Sequence, residues 1–247
     1  MAWYKEWFGQ EYLELYAHRD RGEAERHIDF IIRELDAAPS GKTGREVPQA
    51  VLDLACGAGR HTQALRSRGY RTLGLDLSLT LLREPPLVPA VAGDMCCLPF
   101  ADRSFDWVLN FFTSFGYFEG EEENLQVLHE ISRVLRPQGR FLIDLFNIDR
   151  VLSQLKKHER KEMGGQLVEI ERWYDPRTRR VNKRIRLHTP KGKVRVFVES
   201  VRAYREEEVA VGLEAAGLEL ERRFGSFAGD PFQEMSERLI LIGRRVG

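Results

Sequence analysis

The stretch Val51-Leu-Asp-Leu-Ala-Cys-Gly-Ala-Gly59 decides the fold. Ala50 to Leu54 is a short, nearly continuous apolar run, as expected of a strand covered on both faces. It runs into a glycine turn, and Arg60 to Arg68 then carries the spacing of a helix that stops at Gly69. Glycine has a physical use in such a unit. Without a Cβ the turn approaches a ligand closely, and the following helix presents free N–H groups. A glycine pair also serves any tight βα turn, so the flanking sequence has to discriminate.

Downstream, the same rhythm repeats. Thr72 to Asp76 reads as a strand, followed by a short helix ending at Pro85-Pro86. Val88 to Ala92, Phe105 to Asn110 and Arg140 to Leu145 are further strands, with an amphipathic helix from Glu121 to Leu135 before Pro137. Alternating units of this kind predict an α/β fold, a mostly parallel sheet covered by helices on both faces. Upstream, Trp3 to about Leu35 has helical periodicity, through Tyr4, Trp7, Phe8, Leu15, Ile28, Ile31, Ile32 and Leu35.

The pattern changes after Lys156. Gln166 to Tyr174, Val181 to Thr189 and Lys193 to Tyr204 read as three antiparallel strands with turns at Asp175-Pro-Arg-Thr178 and Thr189-Pro-Lys-Gly192. Ile185 and Leu187, then Val194, Val196 and Val198, alternate with polar residues, the signature of a sheet with one buried face. A helix from Glu206 to Ala216 and two last strands return to the α/β pattern. The expected organisation is a helical cap over 1–44, an α/β domain over 45–160 and 205–247, and an inserted antiparallel β subdomain over 161–204.

Composition narrows the class. Of 247 residues, 43% are apolar and 31% charged, with zero formal net charge, so no global field steers the chain to nucleic acid or membrane. There is no apolar run of about 18 residues and no basic-then-apolar leader, so no membrane association is expected. Cys56, Cys96 and Cys97 are odd in number and two are adjacent, which suits a reducing cytoplasm. No metal site is expected.

Two carboxylates turn the glycine turn into a binding constellation. Asp76 ends the second strand, 17 residues after Gly59, where a carboxylate accepts hydrogen bonds from ribose hydroxyls. Asp94, in Ala92-Gly-Asp-Met95, follows the third strand, where it suits an exocyclic adenine amino group. Val51 to Thr62 resembles motif I of the class I S-adenosylmethionine (SAM)-dependent methyltransferases, of the small-molecule, type 11/25-like kind. Gly74-Leu-Asp-Leu-Ser78 resembles their acidic second-strand motif. Gly93 to Phe100 with Ser104 to Asn110 is similar to their segment leading into strand four, and Arg133 to Ile143 to their Pro/Gly turn before strand five. The resemblance is close over 45–147 and holds in outline over 205–247.

That resemblance implies a Rossmann-like fold with a seven-stranded, mostly parallel sheet whose last strand is antiparallel. It implies SAM as cofactor and S-adenosylhomocysteine as product. Asp53, Ala55, Cys56, Gly57 and Gly59 would line the methionine portion, Asp76 the ribose, Leu77 and Met95 the adenine faces, and Asp94 its amino group. Asn110 would face the cofactor near the reacting centre, and Tyr12, Tyr16 or Arg19 of the cap would reach its carboxylate. Phe111, Phe115, Tyr117 and Asn147 are the expected acceptor-pocket residues. No catalytic residue is assigned, since methyl transfer needs a base only when the acceptor must lose a proton.

Competing readings stay open at this level. A nicotinamide enzyme would want a third glycine where Thr62 stands. A non-catalytic SAM-binding protein for regulation or assembly would keep the same motifs. From Lys156 to Arg205 there are 16 Lys/Arg against 6 Asp/Glu. This positive block fits a solvated face, a homodimer contact through the inserted sheet, or attraction of an anionic acceptor, RNA included. Without a recognisable RNA-binding module, a small-molecule acceptor leads.

Overall fold

The computed structural model describes residues 2–16, 21–36, 50–163, 165–189 and 192–247. The chain opens with helices α1 (Trp3–Trp7), α2 (Gln10–Leu15) and α3 (Arg21–Asp36). The periodicity predicted helical structure from Trp3 to about Leu35. Gly9, in an extended conformation, separates α1 from α2. Strands β1 (Ala50–Leu54), β2 (Arg71–Asp76), β3 (Ala90–Ala92), β4 (Phe105–Asn110) and β5 (Leu135–Phe146) follow. Among them lie helices α4 (Arg60–Ser67), α5 (Leu79–Leu82) and α6 (Glu121–Val134), with α7 (Ile148–Ser153) after β5.

A second run of strands, β6 (His158–Met163), β7 (Gln166–Asp175), β8 (Arg180–His188) and β9 (Val194–Arg202), precedes α8 (Glu206–Ala215). Strands β10 (Leu218–Phe224) and β11 (Arg238–Arg245) end the chain. The main sheet has seven strands in the order β10-β11-β5-β4-β1-β2-β3. Its inner strands pair in parallel, and β11 runs antiparallel to both neighbours. This is the Rossmann-like sheet expected, with its reversed last strand.

Alternation along the strands explains the layers. Leu52, Leu54, Ile143 and Leu241 face Val127, Leu128, Ile131 and Leu213 of α6 and α8. Val51, Leu109, Leu142, Ile240 and Ile242 face Ile28, Ile31 and Leu65 of α3 and α4. Covering both faces is why these strands read as apolar runs rather than as strict alternation. The Pro137–Gly139 turn is looped out of β5: Phe105 pairs with Leu135 and Trp107 already with Arg140.

The second sheet has four strands, β6-β7-β8-β9, all antiparallel. Its first strand starts at His158 and went unread in the sequence because His158-Glu-Arg-Lys-Glu-Met163 has no apolar alternation. Val168, Ile170, Ile185, Leu187 and Phe197 form the inner face, packed on Trp7 and Leu15 of the N-terminal helices. One expectation is corrected here. Val194, Val196 and Val198 do not face this core but lie on the outer face, 50%, 54% and 36% exposed. Phe197, from the opposite phase of the strand, is the buried residue.

Candidate functional site

The glycine turn sits at the carboxyl end of β1, where open α/β sheets place their ligands. Ala55, Gly57 and Gly59 all have positive φ, of 61°, 57° and 77°. Gly57 donates its N–H to Asp76 Oδ2 at 2.8 Å, tying the turn to the end of β2. A Cβ at Gly59 would stand 2.3 Å from Val88, so that glycine is required by packing and conformation at the start of α4. Gly59 does not line the adjoining cavity, whereas Asp53, Ala55, Cys56 and Gly57 do.

That cavity has a volume of about 830 Å³, within the usual range for small-molecule sites. Asp76, Leu77, Asp94 and Met95 line one end. Asp53 is 1% exposed, and among the described residues its side-chain partner is Thr62, whose hydroxyl donates at 2.7 Å. Burial without an ion pair pushes its pKa up to about 6. Asp76 accepts from the backbone N–H groups of Gly57 and Ser78, each at 2.8 Å, and burial raises its pKa too. Asp94 Oδ1 accepts from Cys96 N–H at 3.0 Å.

A carboxylate offers about four lone-pair directions, so these three retain acceptor capacity toward the cavity. Buried carboxylates without a cation favour a positively charged ligand. The residues therefore fit SAM: Asp53 suits its ammonium and sulfonium charges, Asp76 the ribose hydroxyls, and Asp94 with Leu77 and Met95 the adenine.

The cavity wall beyond β4 is held under strain. Phe112 and Thr113 are consecutive non-glycine residues with φ of 55° and 58°. Left-handed geometry is costly, most of all for a β-branched residue. Asp144 on β5, fully buried, pins this turn. Its Oδ2 accepts from Phe112 N–H at 2.7 Å, and its backbone carbonyl from Thr113 N–H at 2.8 Å. Its Oδ1 accepts from Arg238 Nε at 2.7 Å, and Arg238 also donates to Thr113 Oγ1 at 3.1 Å.

Phe111, Phe112, Thr113, Ser114, Tyr117 and Arg238 all line the cavity. Phe115 does not: it is 1% exposed and packs on Tyr204 in the core. Asn147 caps α7 and donates to the carbonyls of Gln233, Glu234 and Ser236, away from the cavity. Asn110 is 1% exposed and donates to Leu54 O at 3.0 Å, bracing β4 on β1 without lining the cavity. Tyr12 and Tyr16 line it, and Arg19 lies outside the described residues.

Other lining residues were not singled out in the sequence. Lys183 on β8 and Glu199 on β9 are register partners and pair at 3.2 Å. Lys183 also donates to the Tyr16 hydroxyl, joining α2 to the second sheet. Arg172 and Glu159 form a neighbouring pair at 2.8 Å. Only folding brings these residues together, so no local motif announces them.

His61 stacks on Phe111 and sits 3.2 Å from His27, which stacks on Phe227. Burial lowers the pKa of both rings, His27 to about 4, so the pair is neutral near neutrality. A histidine with a depressed pKa binds its proton later in the folded than in the unfolded chain, so its stability contribution is lost as pH falls from 6.5 toward 4. Relative to a His27→Gln variant, the wild-type chain is expected to lose on the order of 3 kcal/mol more stability over that window. Denaturant melts across the window check this, and parallel pH profiles of the two proteins would refute it.

Residues 52–143 match the family described as "Methyltransferase domain". Over 130 residues the chain is 32% identical to a demethylmenaquinone methyltransferase of Renibacterium salmoninarum, covering 51% of this chain and 50% of that one. The chain thus spans about half the length of the first curated relatives it matches. A cypemycin N-terminal methyltransferase from Streptomyces sp is 27% identical over 206 residues, covering 80% of this chain and 83% of that one. In fold, the chain resembles the CcbJ methyltransferase from Streptomyces caelestis, with a TM-score of 0.79, 18% identity and coverage of 98% and 99%.

Proposed function

We propose, for a chain whose residues 52–143 match the family described as "Methyltransferase domain", that it transfers a methyl group from SAM to a polar small-molecule acceptor. The observation that carries this reading is one cavity with a cofactor end at Asp53, Asp76 and Asp94 and a hydrogen-bonding far wall at Tyr16, Lys183 and Glu199. SAM, when bound, supplies an already activated methyl group. Asp76 would hold the ribose, Asp94 with Leu77 and Met95 the adenine, and Asp53 with the 55–57 turn the methionine part. The pinned 111–114 turn and the N-terminal helices orient the acceptor and exclude water.

The second sheet supports a small acceptor over RNA. Part of its positive charge is already paired across strands: Arg184 with Glu171 at 2.7 Å, Arg172 with Glu159 at 2.8 Å, and Lys183 with Glu199 at 3.2 Å. Paired charges contribute little to a phosphate-binding field. Filter binding across a salt series tests the point, and measurable affinity for RNA at low salt would overturn it. Among the described residues no helix is long and apolar enough to cross a membrane. The three free cysteines suit a reducing, cytoplasmic setting.

Radiolabelled SAM incubated with the protein and fractionated small-molecule extract tests the activity. Label transferred to a fraction, and lost on Asp76→Asn substitution, is the expected result. Tight SAM binding with no transfer to any fraction would instead indicate a SAM-binding protein without catalysis.

The Asp53 environment adds a pH dependence. A cationic ligand needs the ionised carboxylate, and burial keeps Asp53 protonated up to about pH 6. SAM affinity is therefore expected to rise with pH up to about 6 and then level off, by at most about tenfold per pH unit. Asp53→Asn should flatten this profile in calorimetry, and an unchanged slope would remove Asp53 from the site.

A further inference from the structure

We propose that two copies of this chain pair edge to edge through β9, extending the four-stranded sheet across a two-fold axis centred on Val196. Strand β9 is the edge of its sheet, and all nine of its residues are in register with β8, without a bulge. On its far side, the one backbone hydrogen bond among the described residues is Arg202 N–H to Gly116 O at 2.8 Å, at the strand's end. Among the described residues, Val194 to Ser200 therefore present an open row of donors and acceptors. Val194-Arg-Val-Phe-Val-Glu199 has no proline and no bulge; its charged residues, Arg195 and Glu199, point to the inner face, where they pair with Glu11 and Lys183 and helix α1 packs along the strand.

The side chains say what covers the edge. Val194, Val196 and Val198 form an apolar stripe along the outer face, at 50%, 54% and 36% exposure. In an antiparallel pairing about Val196, Val194 of one copy meets Val198 of the other, and Val196 meets itself. The stripe is then its own complement, as an isologous interface requires. On the inner face the same register sets Lys193 of one copy opposite Glu199 of the other, at both ends of the pairing. In the next outer-face row Arg184, beside Val198, is paired with Glu171 at 2.7 Å, and Arg186 stands beside Val196. Glu199 and Val201 of β9 also line the cavity, so the second copy would buttress the acceptor wall.

Light scattering coupled to size exclusion tests this on the full chain. The expected mass is twice 28.6 kDa. Val196→Lys sets like charges opposite each other at the axis and should weaken the dimer by roughly 100-fold or more, with circular dichroism and SAM affinity unchanged. Val196→Cys should form a disulfide-linked dimer under mild oxidation, beyond any background from Cys97 seen in the wild-type chain. A monomeric wild-type protein would overturn the proposal. So would a dimer that Val196→Lys leaves intact or Val196→Cys fails to cross-link.

Discussion

Replacing Asp144 with Asn is expected to destabilise the protein by about 3–5 kcal/mol, the usual consequence of breaking a buried ion pair from one side. For a chain of this size that lowers Tm by on the order of 10 °C. Asp144 is fully buried, and its carboxylate serves two groups at once, Phe112 N–H and the Arg238 guanidinium, which in turn donates to the Thr113 hydroxyl; the Thr113 N–H bond to the Asp144 backbone carbonyl survives the substitution. An asparagine keeps one carbonyl oxygen but cannot satisfy both the Phe112 amide and Arg238. The 112–113 turn, held in left-handed geometry at φ of 55° and 58°, then loses what offsets its strain.

Removing the partner as well separates the two contributions. Asp144→Asn combined with Arg238→Met should cost less than the two single changes summed, since no half-buried charge is left behind. Thermal melts of the four proteins measure this. Full additivity would show that the pair does not act as a unit. Because Phe111, Phe112 and Thr113 line the cavity, surviving Asp144→Asn protein should also lose methyl transfer more than SAM affinity.

How much of this was readable beforehand follows from the range of the forces involved. The α/β sheet was legible because strands buried on both faces give apolar runs, and glycine turns and helix stops punctuate them locally. That Asp76 and Asp94 line one cavity was legible because both follow strand ends beside the glycine turn. Strand β6 was not, since neither face of His158 to Met163 is apolar. Val194, Val196 and Val198 were assigned to the wrong face because period-2 alternation fixes which residues share a face, and not which face the core takes. A single phenylalanine, Phe197, packing on Trp7 at 4.6 Å, decides the phase.

The site divides the same way. The cavity end proposed for the cofactor is built from one βα unit and the two strand ends after it, so spacing carries it. The far wall joins Tyr16, Lys183 and Glu199 across more than 160 residues of chain, where no local pattern operates. Phe115 and Asn147 were drawn toward the pocket by their neighbours in sequence, but one ring fills the core and the other amide caps a helix.

The central claim is that the end of β2 holds the ribose of SAM, and calorimetric titration of SAM into the wild-type chain and Asp76→Asn tests it most directly. Asp76 already accepts two backbone N–H groups, and its remaining lone pairs would accept the two ribose hydroxyls. Charge-assisted bonds of this kind contribute about 1.5–3 kcal/mol each. An asparagine at this position retains one acceptor oxygen for the turn but loses the charge and half the acceptors. The account predicts one SAM per chain in the wild type, with an affinity roughly 100-fold weaker in Asp76→Asn and an unchanged circular dichroism spectrum. Wild-type protein that does not bind SAM, or a well-folded Asp76→Asn variant that binds it equally well, would contradict the account.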